Sequence, residues 1–309
     1  MKPPKIAIVS AFAALYVIWG STYLGILFAI ESIPPLLMAG SRFLTAGLLM
    51  YTIARIKGAP RSGWLDWRTA AIVGACLLFG GNGGVTLAEQ YVPSGLAAVI
   101  VATVPIYMAL LGWITGSAAR PRPLVWLGLA GGFGGVAILV GASLGMPTGD
   151  HPKAGIGMLI LLVSSFLWSA GSLYSRRAKN APSPFLAAGQ QMLCGGVLLL
   201  LGGIARGELS KFDPHRITWL SLGAWFYLVT IGAIVAFSAY IWLLRHCDPA
   251  KVATYAYVNP VVAVLLGAAF AGETLNARTL FAAALIIGSV AIVITADQRR
   301  AATPAVAAE

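Results

Sequence analysis

The feature that most restricts this chain is a series of ten long, nearly uninterrupted apolar runs. They occupy residues 6–30, 35–54, 69–89, 94–116, 123–144, 154–175, 184–205, 218–244, 249–271 and 277–296. Each is close to the ~20 residues with which an α-helix crosses a bilayer. The gaps are short and hold turn formers such as Pro34-Pro35, Gly58-Ala59-Pro60 and Pro182 with Pro184. Backbone polar groups in lipid must be satisfied within the segment, which selects helices. A membrane β-barrel would show alternating stretches of about ten residues instead. Composition agrees: 10% of residues are charged and the mean hydropathy is +0.84. Soluble domains carry about 25% charged residues, so this chain lacks the polar groups to cover a water-facing surface.

The N-terminus carries Lys2 and Lys5 before an apolar run that reaches about Ile30. That run is longer than a signal-peptide core and reads as an uncleaved first helix. The net charge of +11 does not point to nucleic acid. The cations sit in short gaps between apolar runs, as membrane-flanking charge does. Cys76, Cys194 and Cys247 have no disulfide or zinc spacing, and no metal or cofactor motif is read.

Loop charge sets an expected orientation. With a cytoplasmic N-terminus, the inner segments hold 15 Lys and Arg and the outer ones 5; Arg42, inside the second run, completes the 21. The positive-inside rule then places both termini in the cytoplasm of a bacterial-type inner membrane.

The runs also repeat. Gly134-Gly135-Val136-Ala137-Ile138 returns as Gly288-Ser289-Val290-Ala291-Ile292, Pro105 as Pro260, Trp19 as Trp168, and Gly47 and Leu49 as Gly196 and Leu198. Each match joins run n to run n+5, in order. Five is odd, so a copied five-helix unit lies upside down against its twin. The expected fold class is therefore an all-α polytopic membrane protein with ten transmembrane helices as two inverted five-helix repeats. The expected units are 1–146 and 147–298, with a disordered cytoplasmic tail at 299–309. Inverted repeats are a transporter device, in which two bundles rock about a site near the midplane.

Candidate site residues follow from polar and aromatic groups at depth. Arg42 is the one Lys or Arg deep in an apolar run. Such a charge faces a cavity or a partner, and either a substrate carboxylate or an anchoring acid such as Glu89 fits. Its counterpart in the second half is Gln191. Asn82 lies in Gly80-Gly81-Asn82-Gly83-Gly84, where glycines admit either a ligand or a close helix. Pro105 and Pro260 disturb the carbonyls of Val101 and Ala256 and are candidates for kinks or gating. Trp19, Thr22, Trp168, Ser172, Tyr240, Tyr255 and Asn259 supply rings, hydroxyls and amides suited to an amino acid or a planar organic molecule. Trp64, Trp67 and Trp219 sit at segment ends and read as interfacial belt residues. Gly128, Gly131, Gly132 and Gly135, with Ala284 and Gly288, form small-residue faces that either knit the protomer or make a dimer. Glu89 and Glu273 are the acids placed to relay protons, and neither is mid-helix, which favours a facilitator over a proton antiporter.

Several short strings resemble the drug/metabolite transporter superfamily in its EamA-type branch. They are Trp19-Gly20-Ser21-Thr22-Tyr23, Ser41-Arg42-Phe43, Pro105, Trp168, Asn259-Pro260 and Gly272-Glu273. The resemblance covers about Ile6 to Thr295. It implies exporters of amino acids, some of them aromatic, and of other metabolites. One departure is that Ser117-Ala118 stand where the first half would match Gly272-Glu273. The expected function is thus export of a small polar metabolite across the lipid bilayer by alternating access, with no cofactor and no nucleic-acid partner. Export of drugs or of nucleotide-linked or lipid precursors, or a channel, are the alternatives. An enzyme is not expected, because His151, His215 and His246 lie in separate loops and no paired carboxylates occur at depth.

Overall fold

The computed structural model describes residues 4–116, 123–144, 153–247, 252, 255–272 and 277–302. They form ten helical segments and, among the described residues, no strand. These are α1 (Lys5–Ile30), α2 (Pro35–Ile56), α3 (Trp64–Ala88), α4 (Ser94–Ile114), α5 (Pro123–Leu144), α6 (Ala154–Arg177), α7 (Pro184–Ala205), α8 (Trp219–His246), α9 (Tyr255–Phe270) and α10 (Ala277–Ala302). Seven of them, α1 to α4 and α6 to α8, are long and apolar enough to cross a membrane. Shorter apolar stretches lie in α5, α9 and α10. The chain is thus a polytopic, all-helical membrane protein. The last helix runs through Arg299 and Arg300 to Ala302, into the stretch expected to be tail.

Local chemistry explains where the helices begin and end. Pro35, Pro123 and Pro184 open α2, α5 and α7, at a position where a missing N–H costs nothing. Gly58, Gly116, Gly207 and Gly272 follow the ends of α2, α4, α7 and α9 with φ of 82°, 65°, 72° and 64°. Only glycine takes that left-handed turn without strain. The four fall into two pairs five helices apart.

Packing follows the same exchange. α2 packs on α7 and α5 on α10. α1 packs on α8 and α9, while α6 packs on α3 and α4. Adding or subtracting five from each label returns the same list. The α2–α7 seam is lined by glycine on both sides. A Cβ on Gly47 would lie 2.8 Å from Leu193 N and 2.9 Å from Gly189 O; one on Gly196 would lie 2.7 Å from Leu44 N. The backbones therefore touch, and no larger residue fits. In α5, Gly131 and Gly135 press on Ser289 and Ile286 of α10, so that small-residue face knits the protomer. Gly288 has no neighbour within 4 Å of the Cβ it lacks.

Two helices depart from α geometry in one place each. Residues Gly74–Asn82 of α3 and Leu228–Phe237 of α8 are π-helical. π stretches are rare and gather at functional sites. These two again lie five helices apart. α4 breaks at Ala102–Thr103, where Thr103 Oγ donates to Ile100 O at 2.7 Å and Ser169 Oγ reaches Val104 O at 3.1 Å. Pro105 then sits in the first turn of the second piece. Pro260, by contrast, lies inside an unbroken α9. The matched prolines thus interrupt one helix and not the other.

Candidate functional site

A cavity of about 80 Å3 lies at the centre, between α1, α2, α3, α4, α6, α8 and α9. Its walls come from both halves and include parts of both π stretches: Leu78, Gly81 and Asn82 from α3, and Gly232, Ala233 and Phe237 from α8. At these points each turn of α3 and α8 holds more residues than an α-helical turn. Gly81 is where Trp168 closes on α3, since a Cβ there would stand 2.9 Å from the indole.

Part of the cavity lining is cationic. Arg42 is 3% exposed. Its Nη2 donates to Asn82 Oδ1, its guanidinium lies 4.5 Å from the centre of the Phe43 ring, and its Nε is buried with no acceptor. A buried, charged donor without an acceptor is costly, so this part of the lining is prepared for an anionic oxygen. Glu89, 4% exposed at the end of α3, is close enough to act electrostatically on Arg42 and Tyr23. Of the two sequence readings for Arg42, the structure gives it a neutral amide partner and a place on the cavity wall.

Much of the remaining lining is aromatic. Trp19 packs against Trp168, Tyr240 and Tyr255, with ring centres 5.5, 4.9 and 5.2 Å apart. Edge-to-face and tilted pairs of this kind add to the burial energy and hold the rings in place. The Tyr240 hydroxyl is held by Ser172 Oγ at 2.9 Å, and Ser172 also donates to Trp168 O. Trp168 Nε1 lies beside the Tyr240 and Tyr255 hydroxyls without forming a hydrogen bond of good geometry. The Asn259 amide nitrogen reaches Tyr16 O and Tyr255 O, each at 3.2 Å, when the amide is turned toward them.

Trp19, Thr22, Arg42, Asn82, Trp168, Tyr255 and Asn259 therefore line one cavity. Ser172 and Tyr240 stand behind that wall and brace it. Gln191 does not reach it. It is buried on α7, where its Nε2 meets Asn180 Oδ1 at 3.5 Å. Position in a repeat placed it at the depth of Arg42, but its side chain takes another direction. Glu273 lies outside the described residues. Sequence reasoning missed Tyr23, Phe43, Ser164 and Ser165 on the cavity wall. Tyr23 and Phe43 belong to the very strings that carried the resemblance. Ser21 and Ser41 of those strings serve as ties to α8, to Tyr227 Oη at 2.6 Å and from Trp225 Nε1 at 3.0 Å.

The fold is thus that of a polytopic, all-helical membrane chain with a cavity among its helices, lined by a buried cation, an amide and aromatic rings. The chain belongs to the EamA-like transporter family, whose model matches residues 6–141 and 155–295. It is 40% identical over 298 residues to the Escherichia coli (strain K12) protein named "Uncharacterized inner membrane transporter YedA", covering 96% of this chain and 94% of that one. A Salmonella typhimurium (strain LT2) protein named "Probable amino-acid metabolite efflux pump" is 27% identical over 290 residues, covering 89% of this chain and 91% of that one. A solved crystal structure superposes with a TM-score of 0.63 at 22% identity, over 94% of this chain and 98% of the other, and so shares its fold.

Proposed function

We propose that this transporter exports a small organic anion or zwitterion with an apolar or aromatic body, most simply an amino acid or related metabolite, across an inner membrane. Two inverted five-helix units, with both termini cytoplasmic, alternate access to the central cavity. The observation that carries this reading is the make-up of the cavity lining. Arg42 and Asn82 suit a carboxylate, and Trp19, Trp168 and Tyr255 suit a ring or apolar side chain. The efflux-pump relative and the n to n+5 packing support it.

The volume adds a mechanistic element. Sites that enclose drug-sized ligands measure about 300–1,000 Å3, whereas this cavity holds about 80 Å3. A metabolite enters only if the walls part. Those walls come from helices of both halves, so relative movement of the halves opens them. Differential binding of substrate in the two openings then biases the exchange.

On coupling, a facilitator is the simpler reading, but buried Glu89 at electrostatic range of Arg42 favours a second one, in which a proton is counter-transported. Counterflow of radiolabelled substrate in proteoliposomes tests both. Aromatic and aliphatic amino acids are set against the matching amines that lack the carboxylate. Preference for the carboxylate, lost in Arg42→Ala and in Trp168→Ala, is expected. Equal transport of amine and amino acid, or full activity in both variants, overturns the substrate reading. Substrate-driven proton flux that disappears in Glu89→Gln decides for antiport.

A further inference from the structure

A second concavity lies on the outer surface of the helix bundle, between α3, α6 and α7. It measures about 500 Å3 and is lined almost wholly by apolar groups, among them Phe79, Leu159, Val163 and Leu167. Gly80 and Gly84 of α3 form part of its floor. The glycines let α6 lie close: a Cβ on Gly80 would stand 2.5 Å from Leu167 Cδ1. The rim is apolar and open, with Leu159 and Val163 58% and 57% exposed. On a membrane-spanning chain that surface meets acyl chains, not water.

The groove has one charged lining residue, Arg206, at one end. Arg206 follows the last residue of α7, which places it where a 22-residue span leaves the hydrocarbon. Its side chain is 53% exposed. Its Nε is ion-paired with Glu208 Oε1 at 3.8 Å, too far for a hydrogen bond. The other oxygen of Glu208 accepts from Leu36 N at 2.9 Å and Leu37 N at 3.1 Å, which ties that carboxylate to the start of α2. The half-exposed guanidinium has further N–H groups beyond this ion pair, and an Arg fork fits the oxygens of a phosphate.

We propose that this groove is a binding site for one anionic phospholipid, its acyl chain lying along Phe79, Leu159 and Val163 and its phosphate on Arg206. The apolar groove alone would accept any lipid tail; the cation at its end selects the anionic headgroup. Ser164 lines both this groove and the central cavity. A bound tail therefore lies one side chain away from the transport site, against the same α3–α6 contact that Trp168 and Gly81 make inside.

Native mass spectrometry of the detergent-purified full chain tests the site. The protein is titrated with phosphatidylglycerol or with phosphatidylcholine of identical chains. Wild type should retain about five-fold more phosphatidylglycerol than phosphatidylcholine. Arg206→Gln should remove that preference. Val163→Trp, which fills the groove from its open rim, should lower adducts of both lipids. Both positions are exposed and lie away from the cavity, and counterflow activity checks that the variants fold. Equal adducts of the two lipids in wild type, or unchanged phosphatidylglycerol adducts in both variants, would overturn the proposal.

Discussion

Helices α2 and α7 are packed against each other along one glycine-lined seam, yet they do different chemistry. α2 carries Arg42 onto the cavity wall, while α7 keeps Gln191 within its own packing. Their starts differ too. α7 supplies its own cap, Ser183 Oγ accepting from Leu186 N at 3.5 Å. α2 begins after Pro34, which has no capping side chain. Its first N–H groups are met from across the fold by Glu208, on the loop after α7. Helices paired by five in their packing thus carry different side chains to different places.

Six substitutions, taken in four steps, sharpen or break that contrast. The largest effect is expected at the shared seam. Gly47→Val and Gly196→Val each push a side chain into the facing backbone, costing about 1–3 kcal/mol or more, and both should abolish a monodisperse peak in size-exclusion chromatography. Normal behaviour in either variant would mean the helices are not in backbone contact. Next, Arg42→Ala should lower proteoliposome counterflow about ten-fold, the worth of one charge-assisted hydrogen bond. Gln191→Ala should change it by less than about two-fold, and equal losses would erase the difference between the helices. Third, Glu208→Ala leaves two α2 donors unmet and should cost about 1–2 kcal/mol in thermal stability. The smallest effect is at Ser183. Removing its long hydrogen bond in Ser183→Ala should cost about 0.5 kcal/mol, read as a smaller drop in the same melting measurement.

Much of the fold was legible because lipid imposes a simple rule on sequence. Apolar runs predicted α5 at 123–144 and α7 at 184–205 as they stand, because proline opens each, and Gly207 follows the end of α7. The Gly47 and Gly196 match was legible as repetition, and its cause is visible only in the fold, where each glycine meets the other helix's backbone. The π stretches were not legible. GACLLFGGN and LVTIGAIVAF are ordinary apolar segments, and nothing in their composition announces an extra residue per turn. Gln191 was misread because repeat position gives depth but not direction. Glu208 was passed over because an acid in a loop reads as solvated. It is in fact 5% exposed.

The seam between α2 and α7 carries a mechanical corollary. Joints that interdigitate bulky side chains must unlock and re-seat them whenever the partners turn, and that re-seating is a barrier. Here main chain lies on main chain with little between them that could catch. Were the chain to move as two units, such a contact would work as a bearing, holding α2 and α7 at fixed separation with small resistance to rotation about itself. If the halves rock, this is where the pivot belongs, and the wide swings fall to the helices farthest from it.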